Sequence, residues 1–597
     1  MAAPYFVLTW PDPCPDAHDA AKRAAERLVS AGWERWAARR GLSVWQRPER
    51  PLPVDVTVCP DGVLVGRYQR TSPDPASSPI QDRSARARAR TLSEGGWGGY
   101  LALLPDPATD QWWVFRDPSG AVEAFTWRVG RLAICASGFD HLPSGLFPER
   151  LGLDWRAIAD CLRDPGALGS RPALASVEAV TAGDVQPVGG LARDGSAIWR
   201  PGRWAANPAK LDPAWEPRLA ATLTDTVTAM VAPYDRVATE ASGGLDSSIV
   251  NAAVAQAGLG HRVVSALHYV GDRPEADERP WAKALCDLWG LPLACIDRPR
   301  AQIDPEADFA PLARDIRPPL AALDAPRDRD TAARLQASGA QALLTGKGGD
   351  AAFFQMPTPW VLADLWQARG AAAIRHPLNA QVARWLRRSV WSIWRELLWR
   401  SPSAPASPLG RFAGPALRDC GPAAPHPWLA DLDGLPPAKR IQVRALTSGQ
   451  TGQGANRRGQ VADLLHPLQA QPMMELCLSI PAWEHVRGGR DRALARDAFG
   501  PWLPPSIARR RSKGGLSSWY TRHVATSAPA LGAYLLDGVL VDAGLLDPAA
   551  IEAALDPDDL IVAGDGSGLI AAAAVEAWVR YWQTRVPDAA GAERRLV

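Results

Sequence analysis

Glu240-Ala-Ser-Gly-Gly-Leu-Asp-Ser-Ser-Ile249 lies between two regular elements, and its composition predicts what the turn between them holds. Arg236 to Ala241 read as a short buried strand, and Ser247 onward reads as a helix with hydroxyls in its first turn. Gly243 and Gly244 permit positive φ and close backbone approach. The free N–H groups at the helix start, together with Ser242, Ser247 and Ser248, aim donors at an anion, so the stretch predicts a phosphate or pyrophosphate cradle. It is not the common phosphate loop, since no stretch of the chain satisfies Gly-x4-Gly-Lys-Ser/Thr.

Outward from this turn the chain repeats the same grammar. Trp215 to Val231 reads as a helix, Val263 to Tyr269 and Pro292 to Ile296 as strands, and Glu278 to Trp289 as an amphipathic helix. Strand, loop, helix, strand, helix, strand is the rhythm of a parallel sheet with crossover helices, and ligands of such sheets gather at the carboxyl ends of the strands. Ala342-Leu-Leu-Thr-Gly-Lys-Gly-Gly-Asp350 is a second apolar strand running into a glycine turn, this one ending in a carboxylate. Taken by itself, an Asp after a glycine turn is most often a turn residue, and Asp350 gains meaning only beside the first loop.

The first third has a different pattern. Tyr5 to Trp10, Val54 to Val65, Leu101 to Leu104, Trp112 to Phe115, Ala121 to Arg128 and Leu132 to Ala136 read as strands, with a helix expected over Asp16 to Ala38. Proline, glycine and asparagine interrupt the apolar pattern near Pro201 to Pro213 and mark a boundary, dividing the chain at 205/206 into a β-rich α+β domain (1–205) and an α/β domain (206–597). Trp360 to Trp399 is expected to be helical and tryptophan-rich, and Ser401 to Pro427 to form a loop.

Composition excludes several classes. With 597 residues, 47% hydrophobic content and a formal net charge of +2, the chain has material for a large core and no polyanion-binding tail, so nucleic acid is not the expected partner. The eight cysteines are dispersed with no Cys-x2-Cys pair, against a zinc site or disulfide framework, and are expected reduced and buried. No basic leader precedes an apolar run and none approaches the ~18 residues needed to span a bilayer, so no integral membrane segment and a cytoplasmic location are expected. Of 66 lysines and arginines only Lys22, Lys210, Lys283, Lys347, Lys439 and Lys513 are lysine. Arginine is the default cation here, so a retained ammonium such as Lys513, placed before two glycines, carries information.

Ser242-Gly-Gly-Leu-Asp-Ser247 resembles the loop of the ATP pyrophosphatase enzymes, which cleave ATP between the α- and β-phosphates and leave AMP on a substrate. Gly96-Trp-Gly-Gly-Tyr100 and Arg116-Asp-Pro-Ser-Gly120 are similar to segments of the Ntn-type glutaminase domain of asparagine synthetases. That amidotransferase needs an N-terminal cysteine, whereas this chain begins Met1-Ala2-Ala3 and its first thiol is Cys14. The resemblance therefore implies a sandwich scaffold without glutamine hydrolysis. Gly346 and Asp350 lie in a segment similar to one shared by asparagine and β-lactam synthetases, whose paired aspartates resemble Asp246 and Asp350. Two carboxylates facing a triphosphate repel it unless a hard cation lies between them, so the resemblance implies Mg2+ held by Asp246 and Asp350. Lys513 falls where β-lactam synthetases place their catalytic lysine, and Arg492 where they have a pyrophosphate-contacting lysine. Lys347 stands where those families carry a tyrosine or a glutamate, and is expected to bind a carboxylate or phosphate instead.

The wording of His466-Pro-Leu-Gln-Ala-Gln-Pro472 and Gly488-Gly-Arg-Asp-Arg-Ala-Leu-Ala-Arg496 looks most like the lasso peptide cyclases of this superfamily. That resemblance implies an AMP-forming amide ligase using ATP and Mg2+. It adenylates an Asp or Glu side chain of a ribosomally made precursor peptide, and the peptide's N-terminal amine then closes a macrolactam. A leader peptidase and a leader-binding protein are the accompanying partners it implies. Two other readings stay open at this point: a small-molecule β-lactam or amide synthetase, and a nucleotide-binding pseudoenzyme that chaperones a precursor.

Overall fold

Along β1 (Tyr5–Thr9) Tyr5 and Val7 face one apolar layer and Phe6 and Leu8 face another, and every residue of the strand is buried. A strand apolar on both faces must lie between two layers, and the computed structural model places it so. The structure describes the chain except residues 1–3, 48–54, 72–81, 166–170, 207–213, 272–276, 300–301, 401–407, 451–453, 511–516, 557–559, 561–565 and 587–597.

After β1 come α1 (Pro15–Ser30), β2 (Glu34–Arg39), β3 (Leu42–Gln46), β4 (Val56–Cys59), β5 (Gly62–Arg70), α2 (Ala85–Gly95), β6 (Gly96–Asp106), β7 (Gln111–Arg116), β8 (Phe125–Val129) and β9 (Leu132–Ala136). A ribbon of β10 (Gly152–Leu153) and β11 (Leu174–Ala175) flanks α3 (Trp155–Arg163). The short strands β12 (Glu178–Ala179), β13 (Asp184–Pro187) and β14 (Ser196–Ala197) complete this part. Two six-stranded antiparallel sheets result, ordered β12-β8-β9-β1-β3-β2 and β14-β13-β7-β6-β5-β4. Tyr5, Val7, Val44, Val63, Leu101 and Val114 fill the space between them. Helices α1 and α3 cover the outer face of the first sheet, and α2 covers the second through Ala85 and Ala89, giving helix, sheet, sheet, helix.

The expected helix over Asp16 to Ala38 is corrected: it stops at Ser30, and Glu34–Arg39 is strand β2. Trp33 and Trp36 mimic helical spacing, but the chain turns back through Gly41 at φ +67 to pair β2 with β3. The expectation of buried cysteines is also corrected, since Cys295 is exposed and Cys14 and Cys59 are half-buried.

Helices α4 (Pro201–Ala206) and α5 (Trp215–Val231) lead into a separate five-stranded sheet. Its strands are β15 (Val237–Glu240), β16 (Val263–Val270), β17 (Leu293–Asp297), β18 (Ala342–Leu344) and β19 (Asp463–Leu465), with α6 (Leu245–Gln256) and α7 (Arg279–Trp289) as the first crossovers. All pairings are parallel and the order is β17-β16-β15-β18-β19. From β15 the chain first adds strands on one side and then crosses to the other, so the switch point lies between β15 and β18. Parallel sheets open a crevice there, outside the strand carboxyl ends.

The last helices return to the first part of the chain. Leu531 and Trp578, from helices Ser517–Leu536 and Gly566–Gln583, share one core with Phe6 and Trp127, and Trp578 donates to Asp315 O at 2.8 Å. Among the described residues no helix is long and apolar enough to cross a membrane.

Candidate functional site

Two loops leave the switch point side by side. The first, 241–244, joins β15 to α6, with Gly243 at φ +80. A Cβ on Gly243 would lie 2.8 Å from Glu278 O, so no side chain fits there. The hydroxyls of Ser242 and Ser247 are 2.7 Å apart, and Gly244 N donates to Ser242 Oγ at 3.2 Å. These bonds hold the turn in one shape while α6 presents its N-terminus and Asp246 in its first turn. Ser248 is fully buried, and its Oγ has no hydrogen-bond partner among the described residues.

The second loop, 345–348, follows β18 and enters the short helix Gly349–Ala352. It is pressed against the first. A Cβ on Gly346 would sit 2.5 Å from Ser247 N, and one on Gly349 would sit 2.5 Å from Asp246 Cγ. Only glycine lets these two backbones meet.

Arg492 joins the two acidic groups. It sits in the left-handed region at φ 50, just before helix Ala493–Phe499, and is 4% exposed. Its Nη1 donates to Asp246 Oδ2 at 2.8 Å and to Asp350 Oδ1 at 3.0 Å, and its Nε donates to Asp491 at 2.9 Å. Burial works against the guanidinium charge, but Asp246, Asp491 and Asp350 outweigh it and hold Arg492 above its ordinary range. Asp246 and Asp350 are 104 positions apart in sequence, yet both carboxylates lie within reach of one cation. Two carboxylates, with no imidazole or thiol, are hard oxygen donors, and phosphate oxygens and water complete such a set for magnesium. The residues therefore fit that ion.

Lys347, within the second loop, feels the charges of Arg458 and Glu240. Burial lowers its ammonium pKa to about 8, Arg458 adds to the effect, and Glu240 opposes it. Glu240, the last residue of β15, is held by Arg327 at 2.7 Å and Arg458 at 3.5 Å. His466, just after β19, pairs Nδ1 with Thr345 Oγ1 at 2.7 Å. Burial, then Lys347 and Arg458, keep it well below the usual imidazole range and therefore neutral.

Of the residues singled out from sequence, Ser242, Gly243, Gly244, Asp246, Ser247, Gly346, Lys347, Asp350 and Arg492 come together at the switch point, with Ser248 buried behind them. Lys513 lies outside the described residues. Sequence reading missed Glu240, Thr345 and Arg458, and gave no role to Arg510. Arg510 donates to Gly243 O at 3.2 Å, pairs with Glu278 at 2.7 Å and lies 3.8 Å over the ring of Trp281. It braces the back of the cradle. Glu240 was open to discovery as the terminal residue of a parallel strand; Arg458, 218 positions further on, had no local signal.

The Arg116–Gly120 turn does different work. Arg116 gives its donors to the carbonyls of Val122, Val180 and Gly120 at 2.8, 3.0 and 2.7 Å. Asp117, pushed up to about 6 by burial, accepts from Ser119 N and Tyr100 N. Gln450 donates to Ser119 O across the interface between the two parts of the chain. The turn ties the sandwich to the helices of the five-stranded sheet.

The architecture is that of a parallel α/β domain with a polar crevice at its switch point, docked on a β sandwich. The asparagine synthase family model matches residues 218–580, and the chain belongs to that family, whose general activity is ATP-dependent amide-bond formation. No curated protein matches the chain. Among solved structures it is similar to the glutamine phosphoribosylpyrophosphate amidotransferase of B. subtilis complexed with ADP and GMP. Identity is 11% over 58% of this chain and 81% of that one, with a TM-score of 0.17, too low to carry weight.

Proposed function

We propose that this chain is an AMP-forming macrolactam synthetase acting on a ribosomally made peptide, with a β-rich domain (1–205) that does not hydrolyse glutamine and an adenylating domain (206–597). The observation that carries the reading is the meeting of Asp246 and Asp350 on Arg492 Nη1 at the mouth of a glycine-hydroxyl cradle. Asp246 and Asp350 would hold Mg2+, which when bound offsets charge on the phosphates. Ser242, Gly243, Gly244, Ser247, Ser248 and Gly346 belong to the pyrophosphate side of the site, and Arg492 adds the positive charge that the leaving pyrophosphate needs.

In the first half-reaction an Asp or Glu carboxylate oxygen of the precursor attacks the α-phosphorus of ATP and pyrophosphate leaves. In the second, the peptide's N-terminal amine attacks the acyl carbon, AMP leaves and the amine loses a proton. A peptide α-amine has a pKa near 8, so an appreciable neutral fraction is present without a dedicated base. Lys347 is assigned to the carboxylate or a phosphate, and Lys513 to the α-phosphate and then the tetrahedral centre.

The test is the purified protein with a candidate precursor, ATP and Mg2+. AMP, pyrophosphate and a peptide lighter by one water support the reading. ADP as product overturns it, turnover with small amino acids alone moves the chain to small-molecule amide synthesis, and precursor binding without nucleotide cleavage makes it a chaperone.

A further inference from the structure

On the helix Val390–Trp399 the side chains at i, i+4, i+7 and i+8 from Trp391 are Arg395, Leu398 and Trp399, one continuous face. Trp391 is 84% exposed, Leu398 77% and Trp399 82%, while Ile393 on the opposite face is fully buried and anchors the helix. Val390, Ile393, Trp394 and Leu397 pack the helix inward, yet its outward face still carries two indoles and a leucine beside Arg395, large apolar side chains that burial alone does not place there. Exposure this high means that the described residues form no groove around these side chains.

The charge around them is as unusual. Seven arginines between residues 366 and 400 are exposed, and the one carboxylate in that span, Glu396, is paired with Arg388 at 2.6 Å. The whole chain carries only +2. Two copies of such a face repel each other, which argues against self-association. Protruding indoles and a leucine on a helix that also carries Arg395, in a stretch this rich in exposed arginine, match an anionic phospholipid surface: the aromatic rings enter the headgroup layer and the arginines stay at its edge. A peptide partner needs walls around its anchoring side chains, and the described residues provide none.

We propose that the face of Trp391, Leu398 and Trp399 with its flanking arginines docks this protein peripherally on an anionic phospholipid membrane. The docking is independent of the ligase reading, because none of these residues touches the crevice residues.

Vesicle sedimentation of the full-length protein tests it, using phosphatidylcholine alone or with roughly one-third phosphatidylglycerol. Binding is expected only to the anionic vesicles, and weaker in high salt. Reversing Arg387 and Arg395 to Glu should lower partition by about fivefold or more per arginine engaged. The double variant Trp391→Ser with Trp399→Ser should also lower it severalfold, with thermal melting unchanged because both side chains are exposed. Equal partition of wild type and both variants overturns the proposal. So does wild type that ignores anionic vesicles yet binds an acidic polypeptide such as polyglutamate through the same residues.

Discussion

Gly349 lies so close to Asp246 that a Cβ added to the glycine would stand 2.5 Å from the aspartate's Cγ and 2.7 Å from its Oδ1. The smallest substitution at 349 must therefore tilt the Asp246 carboxylate away from Arg492. Displacement of a reacting-site group by about 1 Å costs on the order of a hundredfold in rate. Gly349→Ala is expected to lower pyrophosphate release by about that factor, with a stability loss of ~1–3 kcal/mol from overpacking. Single-turnover pyrophosphate assays and urea melts check both; full activity in the Ala variant contradicts the tight apposition of the loops.

Arg492 neutralises Asp246 and Asp350 at once, so its removal should change how the crevice responds to a divalent cation. In Arg492→Met the two carboxylates lose their shared donor and repel. The variant is expected to melt lower than wild type in EDTA and to regain stability on addition of Mg2+ without nucleotide, while wild type responds little. Asp350→Asn combined with Arg492→Met should lose the Mg2+ response. Thermal melts across a magnesium titration give the answer, and identical responses of all three proteins would falsify the shared site.

Lys347 gives a pH signature. Its ammonium pKa is lowered to about 8 by burial first and Arg458 second, against 10.5 in an exposed lysine. Between those values the unfolded chain holds the proton that the folded protein has released. Stability should therefore rise with pH across that window, and the slope should flatten in Lys347→Met. Anion binding runs the other way: attraction of a phosphate or carboxylate by the ammonium is present below pH 8 and fades as pH rises through it. Denaturant melts and nucleotide titrations at several pH values read the two effects separately, and unchanged slopes and activity in Lys347→Met would remove this residue from the site.

How much of this was legible beforehand follows the range of the forces involved. The strand at Val237–Glu240, the helices Trp215–Val231 and Leu245–Gln256 and the second glycine turn are set by local periodicity and by glycines, and they were readable as such. Strand β2 was not: only Ala37 of its six residues is buried, so it carries almost no apolar alternation, and its pairing with β3 decides its conformation. The same limit applies to charge. Glu240 meets Arg327 and Arg458 only because the helices Ala325–Ser338 and Arg457–Val461 pack beside the end of β15, an arrangement that no window of sequence contains. Arg492 was singled out by resemblance alone, and its bridging of both aspartates is a product of the left-handed turn before its helix.

The helix carrying Asp350 is held from behind by a buried polar chain. Gln442 Nε2 donates to Ala352 O at 3.0 Å and Ala351 O at 3.3 Å, and Lys439 Nζ donates to Gln442 Oε1 at 2.7 Å and Cys477 O at 3.3 Å. Lys439 and Gln442 have no exposed surface, and burial lowers the lysine's pKa to about 7. Gln442→Leu takes the side-chain donor from Ala352 O and from Ala351 O, which keeps Phe354 N at 3.4 Å. It also takes one of the two acceptors of the ammonium, which keeps Cys477 O. Each buried unsatisfied group costs ~1–3 kcal/mol, more when charged. Lys439→Met leaves the Gln442 oxygen short of a donor, while Cys477 O still accepts from His485 Nε2 at 3.0 Å and Gln442 Nε2 at 3.5 Å, and it removes a cation whose burial is itself unfavourable. Gln442→Leu is thus expected to be the more destabilising of the two, by ~2 kcal/mol or more. It should also weaken Mg2+-nucleotide binding through displacement of Asp350. Urea melts and nucleotide titrations of both variants decide the point: if Lys439→Met proves the costlier change, the ammonium and not the amide is what holds the Asp350 helix in place.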